Sequence, residues 1–211
     1  PALHSKGPFL VASVSAVTLL MWCLRSPEDI EAAARRAMAL LLSTGYVGIL
    51  AACLTAIAAT AAPGTPPSQV SPVGPFTFGP ASLLTLMAIV FAGDTGAYFA
   101  GRSFGRHKLY PLVSPKKTIE GSVGGLLGSI GAAALCAWLL VPQVPYVDAM
   151  ILGAGCGLVA QVGDLAESMF KRASGTKDSG SLLPGHGGML DRLDGVLFAA
   201  PVFFAWLVAQ A

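Results

Sequence analysis

Charge is what this chain has least of. Only 11% of its 211 residues are Asp, Glu, Lys or Arg, against about 25% in ordinary soluble domains. With 54% hydrophobic residues alongside, that composition excludes an ordinary water-soluble globule and implies a chain that lives in lipid. Cysteine is scarce as well. Cys23, Cys53, Cys136 and Cys156 all stand in apolar runs and none forms a CxxC pair, which excludes a zinc or disulfide framework and leaves four small buried hydrophobes. No phosphate loop of the G-x4-G-K-[ST] type occurs. Gly153, Gly155 and Gly157 lack the flanking strand of a dinucleotide site and read as close helix packing. Alternation at period two is absent, which argues against a membrane barrel. No methionine opens the chain, which fits a piece of a longer protein with further spans upstream.

What is present is a series of uncharged runs. Residues 9–24, 37–62, 121–141 and 195–211 carry no charge, 81–100 carries only Asp94, and 149–170 carries Asp164 and Glu167 towards its end. A span needs roughly 20 apolar residues, and backbone groups in lipid must be satisfied within the segment. The expectation is an all-α, polytopic membrane protein with about six transmembrane helices. For 9–24 a signal-peptide core competes with a span, but no small-x-small site follows it; Arg25, Ser26, Pro27 and Glu28 do. Residues 25–36 read as a polar loop or surface helix. Residues 63–80, rich in proline, glycine and serine, read as an irregular connection. The chain then divides into N-terminal helices, 1–80, and a C-terminal part, 81–211, that carries the chemistry.

The basic residues are distributed unevenly. With loops placed alternately on two sides, one side receives Arg25, Arg35 and Arg36, then Arg102, Arg106, Lys108, Lys116 and Lys117, then Lys171, Arg172, Lys177 and Arg192. These are twelve of the thirteen; the other side receives only Lys6. The positive-inside rule puts the richer side in the cytoplasm. The polar stretches 101–118 and 171–192 therefore share a face.

The densest chemistry lies between Gly163 and Gly195, where Asp164, Glu167, Asp178, Asp191 and Asp194 alternate with Lys171, Arg172, Lys177, His186 and Arg192 around glycines. Carboxylates interleaved with bases suit the joint binding of a divalent metal and phosphates. On a helix, Asp164, Glu167 or Ser168, and Lys171 fall on one face, and Asp191 and Asp194 do the same at the start of the last span. Two carboxylate pairs at helix ends can meet around one or two cations, and oxygen donors without a His or Cys cluster favour a hard ion over zinc. A bland reading stands beside this one: Asp164 could serve an internal salt bridge to Lys171 or a neighbouring helix, and the bases could be topology signals. His186, between glycines, suits a base, a phosphate donor or a structural residue.

A second constellation is Ser114-Pro115-Lys116-Lys117-Thr118. Serine before proline predicts a helix start with Ser114 as N-cap and Pro115 in the first turn, an anion site with two lysines beside it. The competing reading is a capped helix whose lysines meet anionic headgroups. Asp94, in an apolar span, is a functional candidate by default or else a polar contact between helices.

From Ser168 to Asp194 the sequence SMFKRASGTKDSGSLLPGHGGMLDRLD resembles the signature of the phosphatidate cytidylyltransferases. Its elements S-x-x-K-R, K-D, proline with H-G-G, and D-R-x-D are all present at the family spacing. Gly93-Asp94 through Tyr98, Gly101-Arg102, Phe104-Gly105-Arg106, the 114–118 stretch, and Gly163-Asp164 with Glu167-Ser168 resemble the family too. The resemblance covers roughly residues 80–211; residues 1–79 share only hydrophobicity. It implies transfer of the cytidylyl group of CTP to phosphatidate in phospholipid biosynthesis, giving CDP-diacylglycerol and pyrophosphate. It implies Asp164 and Asp191 as metal ligands with Asp194 and Asp94 behind them, and Mg²⁺ as cofactor with room for a second, different cation. Lys171, Arg172, Lys177 and Arg192 would hold phosphates. Ser114, Lys116, Lys117 and Thr118 would bind CTP, and Ser168, Asp178, His186, Gly187 and Gly188 would complete substrate binding. The attacking group is itself an ionised phosphate, so no strong base is required. The family further implies a homodimer in the cell (inner) membrane with its active site facing the cytoplasm, and no nucleic-acid partner.

Two rivals are weighed against it. One is a CTP-dependent kinase or cytidylyltransferase acting on another membrane lipid, such as a polyprenol kinase or an archaeal lipid cytidylyltransferase. The other is an ion or proton transporter, which would also place Asp94, Glu120 and Asp164 in spans, but would spread polar residues towards both faces. The topology is directly checkable: a reporter fused within residues 63–80 is expected on the non-cytoplasmic side, and protease protection of that reporter in inverted vesicles measures it.

Overall fold

The computed structural model describes residues 30–60, 78–173 and 190–210. The expected span at 9–24, Lys6, Arg25 and the connection up to residue 77 lie outside the described residues. The chain divides into two compact units, Pro1–Ala52 and Cys53–Ala211. In the first, the described part belongs to helix α1, Ile30–Ala59, which takes in Arg35 and Arg36 and ends within the second unit.

Among its described residues the second unit has four long helices: α2, Phe78–Phe104; α3, Ile119–Leu139; α4, Tyr146–Ala173; and α5, Leu190–Gln210. Each is long and apolar enough to cross a bilayer. Helices follow because these runs are apolar throughout and must satisfy their own backbone. α2 packs mainly on α3, α3 on α4 and α4 on α5, and α2 also touches α4 and α5, so the helices form one closed bundle. Ile57, Leu86, Ile89, Cys156, Ala199 and Phe203 lie at its centre with no or almost no exposure. Cys136 is buried as well, Cys53 is half-buried, and all three described thiols are free, as read from their apolar surroundings. Leu127, Ile151 and Val208, among others, point outward, where only lipid leaves such surfaces without cost. The protein is an integral membrane protein.

The bundle holds together by close backbone approach. A Cβ on Gly96 would stand 2.6 Å from the Gly124 carbonyl oxygen, and one on Gly128 would stand 2.6 Å from that of Ala92. Side chains there would force α2 and α3 apart, in the manner of small-residue interfaces in membranes. Gly153 and Gly157 press α4 onto α3 at Ala133 and Ser129 in the same way, while Gly155 faces Val202 of α5. The buried hydroxyls are satisfied: Thr85 donates to the Ala81 carbonyl at 2.8 Å and Ser129 to that of Ile89 at 3.0 Å.

One local expectation is corrected. Ser114 and Pro115 do not start a helix. Residues Ser114–Thr118 form strand β2, antiparallel to β1, Lys108–Tyr110. Lys108 faces Thr118 and Tyr110 faces Ser114, so one residue of β1 opposes three of β2, a bulge that accommodates Pro115 without a donor. The helix starts later. Thr118 is the N-cap of α3, extended at φ −125° and ψ 155°, and its Oγ1 accepts from the Gly121 amide at 3.1 Å. The hydroxyl three residues before a free amide decides the start, and β1 claims the segment before it. Among the described residues the small sheet is an addition to an otherwise all-α architecture.

Replacing Gly124 by leucine is expected to cost about 1–3 kcal/mol of stability by overpacking. Gly131→Ala, with nothing within 4 Å of the new methyl group, should keep stability or raise it by up to about 1 kcal/mol. Thermal unfolding of the two variants in one detergent separates them.

Candidate active site

The hairpin is held at the mouth of the bundle by Glu120 in the first turn of α3. The Glu120 carboxylate accepts from the Arg106 amide at 3.1 Å and the His107 amide at 3.3 Å, and meets His107 Nδ1 at 2.7 Å. The Ile119 amide donates back to the His107 carbonyl at 2.9 Å. Glu120 is thus a clamp at the helix start, not a charge within a transport path. This clamp aims β2, and with it Lys117, across the bundle mouth.

Lys117 Nζ stands 2.5 Å from Asp164 Oδ2 on α4. That ion pair ties the 101–118 stretch to α4, while residues 174–189 of the second polar stretch lie outside the described residues. Beside the pair opens a cavity of about 510 Å³, lined by Asp94, Ala97, Tyr98, Gly101 and Arg102 of α2, Leu109, Lys116, Lys117 and Thr118 of the hairpin, Gly121 and Ser122 of α3, and Gln161 and Asp164 of α4. Pockets of this size suit a nucleotide-sized ligand. Its rim is basic, through Arg102, Lys116 and Lys117, and its acidic side is Asp94 and Asp164. Asp94 lies within Coulombic range of Asp164, Asp194 and Lys117.

Beside the cavity the carboxylates of Asp164, Glu167 and Asp194 come together, with one oxygen of each within 4.8 Å of the others. Glu167 and Asp194 are buried. The Gly195 amide donates to Asp194 Oδ1 at 2.7 Å and so orients that carboxylate. Lys171 Nζ lies 3.2 Å from Glu167 Oε2, one turn along the same helix. Three carboxylates at this spacing repel one another unless a proton or a cation stands among them, and Lys117 and Lys171 pair with two of them, Asp164 and Glu167. The oxygen-only donor set fits a hard divalent ion.

Carboxylates of α4 and α5 meet here, Asp164 and Glu167 with Asp194. Glu167 is the member that the sequence placed on the right helix face without assigning it to the ion. Asp191 lies on the backbone of the first turn of α5, one turn before Asp194, and Arg192 follows it; the side chains of both lie outside the described residues, as do Lys177, Asp178, His186, Gly187 and Gly188 entirely. Arg172 is exposed in the last turn of α4, and Ser168 is half-buried there, outside the cavity lining. Lys116, Lys117 and Thr118 line the cavity, whereas Ser114 sits opposite Tyr110 in the hairpin.

Two further contacts were not singled out from the sequence. Ser122 Oγ donates to Gln161 Oε1, and Gln161 Nε2 donates back to the Ser122 carbonyl at 3.1 Å, tying α3 to α4 at the cavity wall. Arg102 donates to the Tyr98 hydroxyl at 2.9 Å and is held along its own helix. Two polar residues facing each other from apolar spans are the only sequence signal for the first. At the opposite end of the bundle a recess of about 160 Å³ is lined by Phe78, Gln143, Val144, Pro145, Trp206, Leu207 and Gln210, none of them ionisable. Glu120→Ala should free the hairpin amides, and hydrogen exchange at residues 106–110, followed by mass spectrometry, is expected to accelerate about tenfold.

Comparison with known proteins agrees with this geometry. A family model described as the cytidylyltransferase family matches residues 4–209. The phosphatidate cytidylyltransferase of Synechocystis is 46% identical over 138 residues, covering 64% of this chain and 46% of the relative. That of Haemophilus influenzae is 46% identical over 125 residues, covering 57% and 43%. That of Bacillus subtilis is 40% identical over 116 residues, covering 55% and 43%. The chain thus spans about half the length of the curated relatives it matches. Because the family model runs across nearly every residue, through the hairpin, the cavity and the carboxylate cluster alike, this chain belongs to the cytidylyltransferase family.

Proposed function

We propose that the protein transfers the cytidylyl group of CTP to phosphatidate, releasing pyrophosphate and forming CDP-diacylglycerol. The observation that carries this reading is the cavity of about 510 Å³, basic at Arg102, Lys116 and Lys117, opening beside the Asp164, Glu167 and Asp194 cluster. The names of the relatives supply the substrates.

The chemistry asks for positioning and charge neutralisation. A phosphate oxygen of phosphatidate attacks the α-phosphorus of CTP, the bond from that phosphorus to the β-phosphate oxygen breaks, and pyrophosphate leaves. The ammonium groups of Lys116 and Lys117 would hold the triphosphate at the rim. The Lys171 ammonium, and Arg172 at the end of α4, would receive the developing pyrophosphate charge. The nucleophile is already ionised, so no side chain needs to remove a proton. Asp164, Glu167 and Asp194 would hold Mg²⁺, which when bound would supply charge neutralisation for the phosphates; Asp94 lines the neighbouring cavity and could share a second cation. Ala97, Tyr98 and Leu109 give the cavity an apolar wall against which acyl chains from the bilayer can lie. The site would face the cytoplasm from the inner membrane, in keeping with the basic residues gathered at its end, and the protein would work as a homodimer.

The test is turnover of labelled CTP with phosphatidate and Mg²⁺ in nanodiscs, with CDP-diacylglycerol as the product sought. Asp164→Asn and Glu167→Gln should each lower kcat about 100-fold or more. Failure of the unsubstituted protein to form product removes the reading, and full turnover in both variants removes the cation assignment.

A further inference from the structure

Lys117 occupies the carboxylate that the proposed cation needs. It reaches Asp164 from another element, β2, whereas Lys171 pairs with Glu167 along its own helix. An ammonium is a compact single charge. It neutralises Asp164, and Lys171 serves the other two members of the three-carboxylate group, Glu167 and Asp194, whose oxygens lie within 4.8 Å of one another and of Asp164. The pair is also accessible, with the Lys117 side chain 25% and the Asp164 side chain 41% exposed, and ion pairs of that kind are weak and reversible. The same lysine lines the cavity beside Lys116 and Thr118.

We propose that Lys117 is a built-in place-holder for the divalent cation. It holds Asp164 while the cation is away, and an arriving cation displaces its ammonium into the cavity, where a phosphate takes it. The inference rests on the cation reading of the previous subsection. Cation and phosphate then bind with mutual advantage, because each relieves the Lys117–Asp164 pair for the other, and the coupling is reciprocal. Lys116, exposed one residue earlier on the strand, carries the same charge without this contact and serves as the reference.

Mn²⁺ titrated into the protein in nanodiscs, without nucleotide and read by electron paramagnetic resonance, tests the displacement. Lys117→Met should bind Mn²⁺ about two- to fivefold tighter than the unsubstituted protein, the factor that a part-exposed ion pair is worth. Lys116→Met, losing the same charge, should gain less. In the unsubstituted protein, acetylation of Lys117 by acetic anhydride, counted by mass spectrometry against Lys116, should rise several-fold when Mn²⁺ is added. Equal Mn²⁺ affinity in Lys117→Met and the unsubstituted protein, an equal gain in Lys116→Met, or unchanged labelling of Lys117 would each overturn the place-holder. No Mn²⁺ bound by the unsubstituted protein, or undiminished binding in Glu167→Gln, overturns the cation reading and the place-holder with it.

Discussion

Taking an ionised carboxylate out of water costs several kcal/mol unless an opposite charge comes with it. Glu167 and Asp194 are buried near the ends of helices whose other residues are mostly apolar, with Asp164 beside them, so the bundle has to bring cations to them. Lys171 does so along its own helix. Lys117 does so across the bundle, and the parts around it exist to hold it there: the bulged hairpin, the Glu120 clamp and the Thr118 cap. The close glycine contacts of α2 with α3 and of α3 with α4 fix how far apart those ends stand. Charge at the mouth and small residues in the body are one arrangement seen at two depths.

The helices were legible because each is a long apolar run, and length in lipid leaves no alternative structure. Where the basic residues fall set the two polar stretches on one face, and the Lys117–Asp164 pair ties the first of them to α4. The hairpin was not legible. Ser114-Pro115 is a strong local signal for a helix start, and what overrules it is pairing with Lys108–Tyr110, which no window around residue 114 contains. Glu167 was half legible: its spacing from Asp164 puts both on one face, but which acid meets Asp194 depends on how α4 and α5 turn towards each other. The Ser122–Gln161 bridge joins residues 39 positions apart, and only packing brings such a pair together.

The same division explains why the comparisons and the geometry support each other without repeating each other. Family membership speaks for the chain as a whole. The cavity, the rim of bases and the three-carboxylate cluster describe one end of the bundle, residue by residue.

Thr118 has a consequence of its own. Its hydroxyl caps α3, its side chain is buried beneath Gly101, Gly105 and Gly121 with little room to spare, and it also lines the cavity. Frame and binding wall therefore share one side chain. Any change there mixes a folding defect with a binding defect, so a kinetic loss at this position cannot be assigned to chemistry. For the same reason the two cannot drift apart over generations: a substitution that reshaped the pocket at this point would have to be accepted by the architecture in the same step.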